Sequence, residues 1–387
     1  MIASRRLGHA RDGACWRNVV CALAFAFGLP ALSAAQTPAA SEPAKTAPVP
    51  AQAEGKPAPQ VEAAPAADSS AEPGPIVLVL PLESASFGRA AEAVQAGFLA
   101  AAEAAKAKPL VIGHGDGDIL AAFAKARAAR ARVIVGPLVR DDMKVLATAA
   151  EGLPPTIALN QLDEGARLPR NVVVLTLAID GEARQLARRA RDEGAVTVAV
   201  IASDTPRQQR FASAFNAEWI LAGGGAPVMY RFDPAPDVLR QLRRELVKSP
   251  VDAALLAVDA EDAARAKPYV GAIPSYTSSE VNERQSPDAL RDLDDVRFVD
   301  IPWLVEADAP AFADLKRPGY PNPTLERLFA LGMDAFRVAQ AFADGPPAKL
   351  EFDGATGHLS LDETRQFVRE GRLMQFRAGR IVPVVAR

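Results

Sequence analysis

The stretch IVLVLPLESASFGRAAEAVQAGFLAA, residues 76–101, joins a run of β-forming residues to an amphipathic helical segment. Its five opening aliphatic residues are typical of a strand that is buried on both faces. The alanines of the second half, together with Val94, Phe98 and Leu99, repeat at helical spacing and form one apolar face. A buried strand followed directly by such a helix predicts the first unit of an α/β fold with a parallel sheet.

The same alternation of strand and helix continues along the chain. Further apolar strands are predicted at VIVGPL and PTIALN, and the pattern begins again with NVVVLTLA and VTVAVIASD. Two successive units of this kind predict an α/β protein of two Rossmann-like lobes, each with a parallel sheet, joined by hinge crossovers. The tail differs, because HLSLDE and RLMQFRAGRIVPV are short strands with glycine turns that predict a closing antiparallel hairpin.

Residues 1–35 have the composition of a cleavable secretory signal peptide. Four arginines accompany the apolar run VVCALAFAFGLPAL, and the small residues Ser33, Ala34 and Ala35 follow it. This order predicts export to the periplasm with cleavage after Ala35. A retained membrane anchor is the less favoured alternative, because the apolar run is short and Pro30 interrupts it.

Both cysteines of the chain, Cys15 and Cys21, fall within this segment, so the mature protein is expected to contain no thiol. Neither cysteine follows the triplet that precedes a lipidated cysteine, which leaves an outer-membrane association open but without a lipobox. The formal net charge is −3, and loss of the signal segment makes the mature chain more acidic. Nothing in this composition indicates nucleic-acid binding.

Residues 36–75 consist almost wholly of Ala, Pro, Ser, Glu and Gln and contain no aromatic residue. Such a segment has too little apolar surface to offset the entropy of ordering, so a disordered Pro/Ala-rich linker is predicted. The linker either gives the folded domain reach from a tether or is an inert spacer.

Signatures of catalysis are missing from the sequence. It contains no G-x-S-x-G, H-E-x-x-H or Walker motif, and after cleavage only His114 and His358 remain as histidines. The loop GHGDGD is best interpreted as a glycine-rich turn that Asp118 caps, with a weak metal loop as the alternative. The sequence therefore predicts neither an enzyme nor a cofactor or metal site.

Ligands of open parallel sheets bind beyond the carboxyl ends of the strands, which directs attention to the loops that follow them. Nine residues in these loops have groups suited to a ligand-binding cleft, namely Ser84, Ser86, Gly88, Gly136, Arg140, Asp204, Arg207, Tyr276 and Ser278. If a ligand binds there, we expect an anion held by Arg140 and Arg207 across the cleft. Val139 offers no polar group, so the loop tip is poorly suited to a free amino acid.

Several of these loop residues also fit a structural role. Ser86 is placed to cap a helix, and Pro206 suits the first turn of the helix that contains it. Asp141 and Asp142 suit a helix N-terminus through its dipole. Tyr276 could supply a stacking ring or could line a solvated crossover, so both interpretations stay open at this point.

The order of several segments resembles the LppC/LpoA family of penicillin-binding-protein activators. The resemblance runs over about residues 76–387, and its most specific parts are LRDLDDVRFVDIPWLVE and GATGHLSLDETRQFVREGRLMQFRAGRIVPV. More broadly, the chain resembles type I periplasmic binding proteins, the fold of the leucine-binding class. That resemblance implies a first lobe of about 76–175 and 275–343 and a second lobe of about 176–274 and 344–387.

The family implies a non-enzymatic envelope protein that binds a class A penicillin-binding protein and stimulates peptidoglycan cross-linking. Longer members carry an N-terminal helical-repeat domain where this chain has its linker, and members are typically lipoproteins. The alternative function is a soluble substrate-binding protein that delivers an amino acid or another small anionic solute to an ABC importer. The first predicts a cleft poor in polar ligand groups, whereas the second predicts converging hydroxyls and an aromatic lid.

Overall fold

The computed structural model describes residues 74–149, 151–162, 166–283, 291–347 and 349–384, which lie in one compact unit. The predicted signal peptide and nearly all of the predicted linker lie outside the described residues. The described part is a mixed α/β structure in which two large sheets are each covered on both faces. The predicted fold class is confirmed.

The first sheet is parallel throughout and has the strand order β2-β1-β3-β4-β5. Its strands are β1 (Ile76–Leu80), β2 (Leu110–Gly113), β3 (Val133–Val135), β4 (Thr156–Ala158) and β5 (Val172–Val174). Three helices alternate with them: α1 (Gly88–Ala104), α2 (Ile119–Ala128) and α3 (Arg140–Ala149). Every residue of β1, β3, β4 and β5 is buried, as continuous apolar strands predict for a sheet covered on both faces.

The second sheet has the order β15-β14-β10-β9-β8-β6-β7 and is parallel from β10 to β7. Its strands are β6 (Val198–Ala202), β7 (Val228–Arg231), β8 (Ala253–Ala257), β9 (Ser275–Thr277), β10 (Val296–Asp300), β14 (Arg372–Arg377) and β15 (Arg380–Pro383). The helices α4 (Ile179–Asp192) and α5 (Pro206–Leu221) cover one face. The helices α6 (Pro236–Lys248) and α7 (Ala260–Val270) cover the other. A 3-10 turn at Ser279–Asn282 follows β9.

The remaining elements connect the two sheets. After β10 come the short helix α8 (Pro302–Val305), a 3-10 turn at Pro310–Phe312 and the long helix α9 (Pro323–Ala343). A third, antiparallel sheet follows, formed by β11 (Glu351–Asp353), β12 (His358–Leu361) and β13 (Phe367–Glu370). Helix α9 and this small sheet pack with α1 against the first sheet, through Phe336, Leu359 and Phe367.

The boundaries between the lobes differ from the expected ones in two places. We expected 275–343 in the first lobe, but β9 and β10 pair within the second sheet, and the chain crosses back only after Asp300. We expected 344–387 in the second lobe, but residues 351–370 form the small sheet on the first lobe. The reason is strand pairing: β9 continues the parallel register of β8, with Ala254 opposite Ser275.

The closing hairpin was predicted correctly in its last part only. Strands β14 and β15 form an antiparallel hairpin, and β14 pairs with β10 at the edge of the second sheet. The HLSL segment instead becomes β12 of the third sheet. The chain returns to the second lobe at Gly371, where an added Cβ would lie 2.7 Å from the carbonyl oxygen of Asp300. Only glycine permits so close an approach of two backbones.

Candidate functional site

In the loop after β1, the hydroxyl of Ser84, which was predicted to contact a ligand, instead makes hydrogen bonds within the loop. Ser84 is buried, and its hydroxyl oxygen accepts hydrogen bonds from the backbone N–H groups of Ser86 (3.3 Å) and Phe87 (3.1 Å). Ser86 is exposed and does not cap α1, because the cap position falls on Phe87 and Gly88 begins the helix. The Ser84 hydroxyl therefore holds the loop in shape, and only Ser86 presents its hydroxyl to solvent.

Gly136 has a structural reason to be glycine. Its φ of 121° lies in the region that side chains rarely adopt, and an added Cβ would lie 2.2 Å from the carbonyl oxygen of Val79 on the neighbouring strand. Four residues later Arg140 begins α3, followed in the first turn by Asp141 and Asp142 as the helix dipole favours. Burial raises the pKa of the Asp142 carboxyl, which lies 4.0 Å from Nε2 of His114.

In the second lobe, the charged side chains of the loop after β6 form ion pairs with other residues of the protein. Thr205 caps α5 by accepting a hydrogen bond from the Gln208 N–H. The Asp204 carboxylate accepts from Nε of Arg231 at 2.7 Å. The Arg207 guanidinium pairs with Glu280 at 2.6 Å, on the turn after β9. The expected anion clamp of Arg140 and Arg207 is not assembled, because Arg207 already has a carboxylate partner.

Tyr276 and Ser278 do not line a solvated crossover or cover a ligand. The Tyr276 ring is 1% exposed and packs in the core beneath α4 and α5. Its hydroxyl donates to the Glu193 carboxylate, and burial, followed by that hydrogen bond, raises the pKa of the Tyr276 hydroxyl. Ser278 is fully buried as well. Tyr276 is inaccessible because β9 is an interior strand of the second sheet, with neighbours on both sides, and Ser278 lies between that strand and the buried start of the 3-10 turn.

A buried polar network joins the two lobes, and the sequence analysis did not identify it. Arg327 of α9 donates two hydrogen bonds to Asp300 at the end of β10, at 3.0 and 2.8 Å, and a third to the carbonyl of Ser279. Glu182 of α4 accepts from the Ser279 N–H (3.0 Å) and hydroxyl (3.1 Å). Arg369 of β13 lies 3.5 Å from Glu182. We call these five residues the junction network.

The junction network balances the cost of burial with paired charges. Burial raises the pKa of the Glu182 carboxyl, and Arg369 acts in the opposite direction. The partners are separated by 27 to 187 residues in the chain, so no local motif could reveal them. A local signal for the network is the charged residue Arg327, which lies among the buried residues of α9.

A cavity of about 1130 Å³ lies beside the lobe junction, and Arg140 is the one predicted site residue in its lining. Its other lining residues come from the chain before β5 and the last residue of β5, from α4 and α5, and from the turn at 364–366. Serine, threonine and glutamine side chains there can donate and accept hydrogen bonds, but they do not come from the strand-end loops in which the sequence predicts a cleft.

Within the described ranges, no group of three or more His, Cys, Asp or Glu side chains is arranged to hold a metal ion. Among the helices of those ranges, none combines the length and the apolar character needed to cross a membrane.

Comparison with known proteins adds independent information. The sequence model of the family described as "LppC putative lipoprotein" matches residues 67–379. The penicillin-binding protein activator LpoA of Edwardsiella piscicida is 27% identical over 309 residues, covering 68% of this chain and 44% of the relative. LpoA of Escherichia coli K12 is 24% identical over 300 residues, covering 66% and 44%. The chain thus spans less than half the length of these relatives.

Solved structures give the same fold. A Chromobacterium violaceum protein, described as a "putative branched-chain amino acid ABC transporter", has a TM-score of 0.69 and 32% identity, covering 78% of this chain and 99% of that one. The C-domain of Haemophilus influenzae LpoA, described as a regulator of PBP1A, has a TM-score of 0.70 and 24% identity, covering 80% and 99%. The second likeness is informative about the fold alone.

Proposed function

This chain belongs to the LppC family, and on that premise we propose that it is a non-enzymatic envelope protein that binds and activates a class A penicillin-binding protein. The relatives that carry the activator name support the choice of partner. Activation would proceed by protein contact and would raise the rate of peptidoglycan cross-linking, with no cofactor.

The observation that carries this proposal is that polar groups in the loops after the strands are paired within the protein or buried. An amino-acid receptor needs free hydroxyl and N–H groups that converge on the carboxylate and ammonium of its ligand. Here Ser84 holds its own loop, Arg207 pairs with Glu280, and Tyr276 and Ser278 are buried. A cleft in which these polar groups either serve internal contacts or are buried favours a regulator over a receptor.

The junction network supports the same conclusion. Solute receptors of this fold close their lobes around a ligand by a hinge motion. Arg327 of α9 and Arg369 of β13, both on the first lobe, lie buried against Asp300 and Glu182 of the second lobe, and separating the lobes would leave these buried charges unpaired. We expect the lobes to keep one relative orientation.

The test is binding of the full-length protein to the periplasmic portion of the host's class A penicillin-binding protein, with the cross-linking rate measured in the same reaction. We expect saturable binding together with a faster rate. A solute receptor of the same fold, added at equal concentration, is the control. Absence of both binding and acceleration at micromolar concentrations of the two proteins would contradict the proposal.

A second candidate is the substrate-binding protein of an ABC importer, which the 32% identity to the Chromobacterium violaceum protein favours. The exposed hydroxyl of Ser86 would then contribute to the cleft. Calorimetric titration with branched-chain amino acids distinguishes the two functions. A receptor binds one of them tightly, whereas the regulator binds none.

We also propose that the protein reaches the periplasm through its first 35 residues. The supporting observation is the order of basic, apolar and small residues in that segment. Mass spectrometry of the protein recovered from the periplasm should give a mature chain that begins at Gln36. Recovery of an intact N-terminus in the membrane fraction would contradict export by cleavage.

A further inference from the structure

The lining of the cavity beside the lobe junction is rich in positively charged side chains. Five segments of the chain contribute arginines to its lining: Arg140, Arg167, Arg170, Arg184, Arg210 and Arg365. Asp180 is the single carboxylate among the described lining residues. In a chain with a formal net charge of −3, such a concentration of positive charge is a local feature and not a consequence of composition.

Arg210 and Arg365 are held by neighbouring groups in the cavity wall. Arg210 makes a bidentate ion pair with Asp180, with its Nε 2.8 Å from one carboxylate oxygen. The Arg365 guanidinium donates to the backbone carbonyls of Pro169 (2.5 Å) and Leu168 (2.9 Å). Carbonyls orient this guanidinium toward the cavity wall but do not neutralise it. The Asp180 carboxylate therefore neutralises the charge of Arg210, and the positive charge of Arg365 is not neutralised by its carbonyl partners.

Three further arginines, Arg167, Arg170 and Arg184, have no ion pair or hydrogen bond within the described part of the chain. They come from two elements that belong to different lobes, the segment before β5 and helix α4. Asp163 and Glu164, between lining residues in the sequence, lie outside the described residues. Like charges around one cavity repel one another, and an anion bound in the cavity would be attracted to each of them.

We propose that this cavity binds a small polyanion that carries at least two carboxylate or phosphate groups. A guanidinium group pairs with either group in a bidentate geometry, which makes arginine the side chain best suited to recognise them. The volume of about 1130 Å³ far exceeds what one acetate-sized ion would fill. Ser213, Thr364 and Gln161 also line the cavity and offer neutral hydrogen-bonding groups for the rest of such a molecule.

This site differs from the cleft expected from the sequence. Of the nine residues proposed there, Arg140 alone reaches the cavity, and Arg207 does not line it. The inference also goes beyond activation of a penicillin-binding protein and does not depend on it. A polyanion held by Arg167 and Arg170 of the first lobe and Arg184 of the second would connect the two lobes, so binding should raise the melting temperature.

The experiment is calorimetric titration of the full-length protein with pyrophosphate and with citrate at constant ionic strength, with acetate as a monoanionic reference. We expect saturable binding of at least one polyanion, much weaker binding of acetate, and a higher melting temperature with the polyanion. Constant ionic strength matters because salt screens exposed charges. Preference for pyrophosphate would identify a phosphate ligand, and preference for citrate a carboxylate ligand; either result supports the proposal.

The decisive variant is Arg167→Ala/Arg170→Ala/Arg184→Ala, which should lower the affinity about tenfold or more. Its matched control is Arg240→Ala/Arg243→Ala/Arg380→Ala, which removes the same charge from exposed positions away from the cavity. Arg184→Ala alone, on an exposed helix face, provides a second variant that leaves the loop before β5 intact. The proposal is overturned if neither polyanion binds at millimolar concentration, or if the control variant weakens binding as much as the cavity variant.

Discussion

At the scale of single residues, His358 shows how one side chain can make the fold sensitive to pH. It begins β12, and its Nδ1 lies 3.1 Å from an Asp353 carboxylate oxygen on the neighbouring strand. Its Nε2 lies 3.1 Å from Glu351, which also pairs with Lys349. The hydrogen bond with Asp353, and then that with Glu351, raises the pKa of His358 above its ordinary value.

The raised pKa predicts a stability contribution with a definite sign. Protonated His358 pairs with two carboxylates only in the folded state, so its contribution is fully present below its unfolded pKa of about 6.5. It is lost as the pH rises through the higher folded pKa. In an NMR titration, the His358 signal, assigned by its loss in His358→Gln, should give a pKa above that of an unfolded peptide.

The same variant provides an independent check by urea unfolding. The difference in the free energy of unfolding between the parent and His358→Gln should be larger in mildly acidic than in alkaline buffer. A titration midpoint at or below the value of an unfolded peptide would show that the two carboxylates do not hold the ring.

At the scale of elements, α1 and α9 approach each other unusually closely. A Cβ added at Gly97 would lie 1.8 Å from the carbonyl oxygen of Phe329, and one added at Gly332 would lie 2.0 Å from that of Val94. Phe98 and Phe336 pack edge to face beside this contact, with ring centroids 5.3 Å apart. The two glycines let the helices touch backbone to backbone and cover the first sheet as one layer.

We therefore expect Gly332→Ala to destabilise the protein by about 1–3 kcal/mol, because the new methyl group forces two helix backbones apart. The matched control is Gly181→Ala in α4, where an added Cβ meets no atom within 4 Å. That change should leave stability unchanged or raise it by up to about 1 kcal/mol through helix propensity. Urea unfolding of both variants measures the difference, and equal effects would contradict close helix packing.

At the scale of the whole molecule, the junction network is what ties the lobes together. The Asp300 carboxylate is 1% exposed and accepts from both Arg327 and the Asn282 amide. Arg327 reaches it from α9, an element that packs on the first sheet, whereas Asp300 ends a strand of the second. The relative placement of the lobes therefore depends on charges that are paired only in this arrangement.

Removing one partner tests that dependence. Arg327→Met should cost about 3–5 kcal/mol of unfolding free energy, because it leaves the buried Asp300 carboxylate without its cation. Arg265→Met is the control, since its ion pairs with Glu261 and Asp262 lie at the surface and should contribute about 1 kcal/mol or less. Comparable losses in the two variants would show that the lobes are held by other contacts.

Sequence alone determined the fold class, since continuous apolar strands alternating with amphipathic helices admit few arrangements other than covered parallel sheets. It also indicated the family, because segments such as DIPWL and the tail occur in a specific order. Local chemistry was readable too: Thr205 with Pro206 at the start of α5, and the acidic first turn of α3, follow from the neighbouring residues.

Only the tertiary structure decided which polar groups are available. Arg207, Tyr276 and Ser278 look like ligand contacts in the sequence, but Arg207 pairs with Glu280, the Tyr276 hydroxyl donates to Glu193, and Ser278 is buried after β9. The lobe boundaries, the junction network and the arginine-lined cavity were likewise hidden. The reason is physical: strand pairing and charge pairing join residues far apart in the chain, and a local pattern reports what a side chain can do, but not which partner folding places beside it.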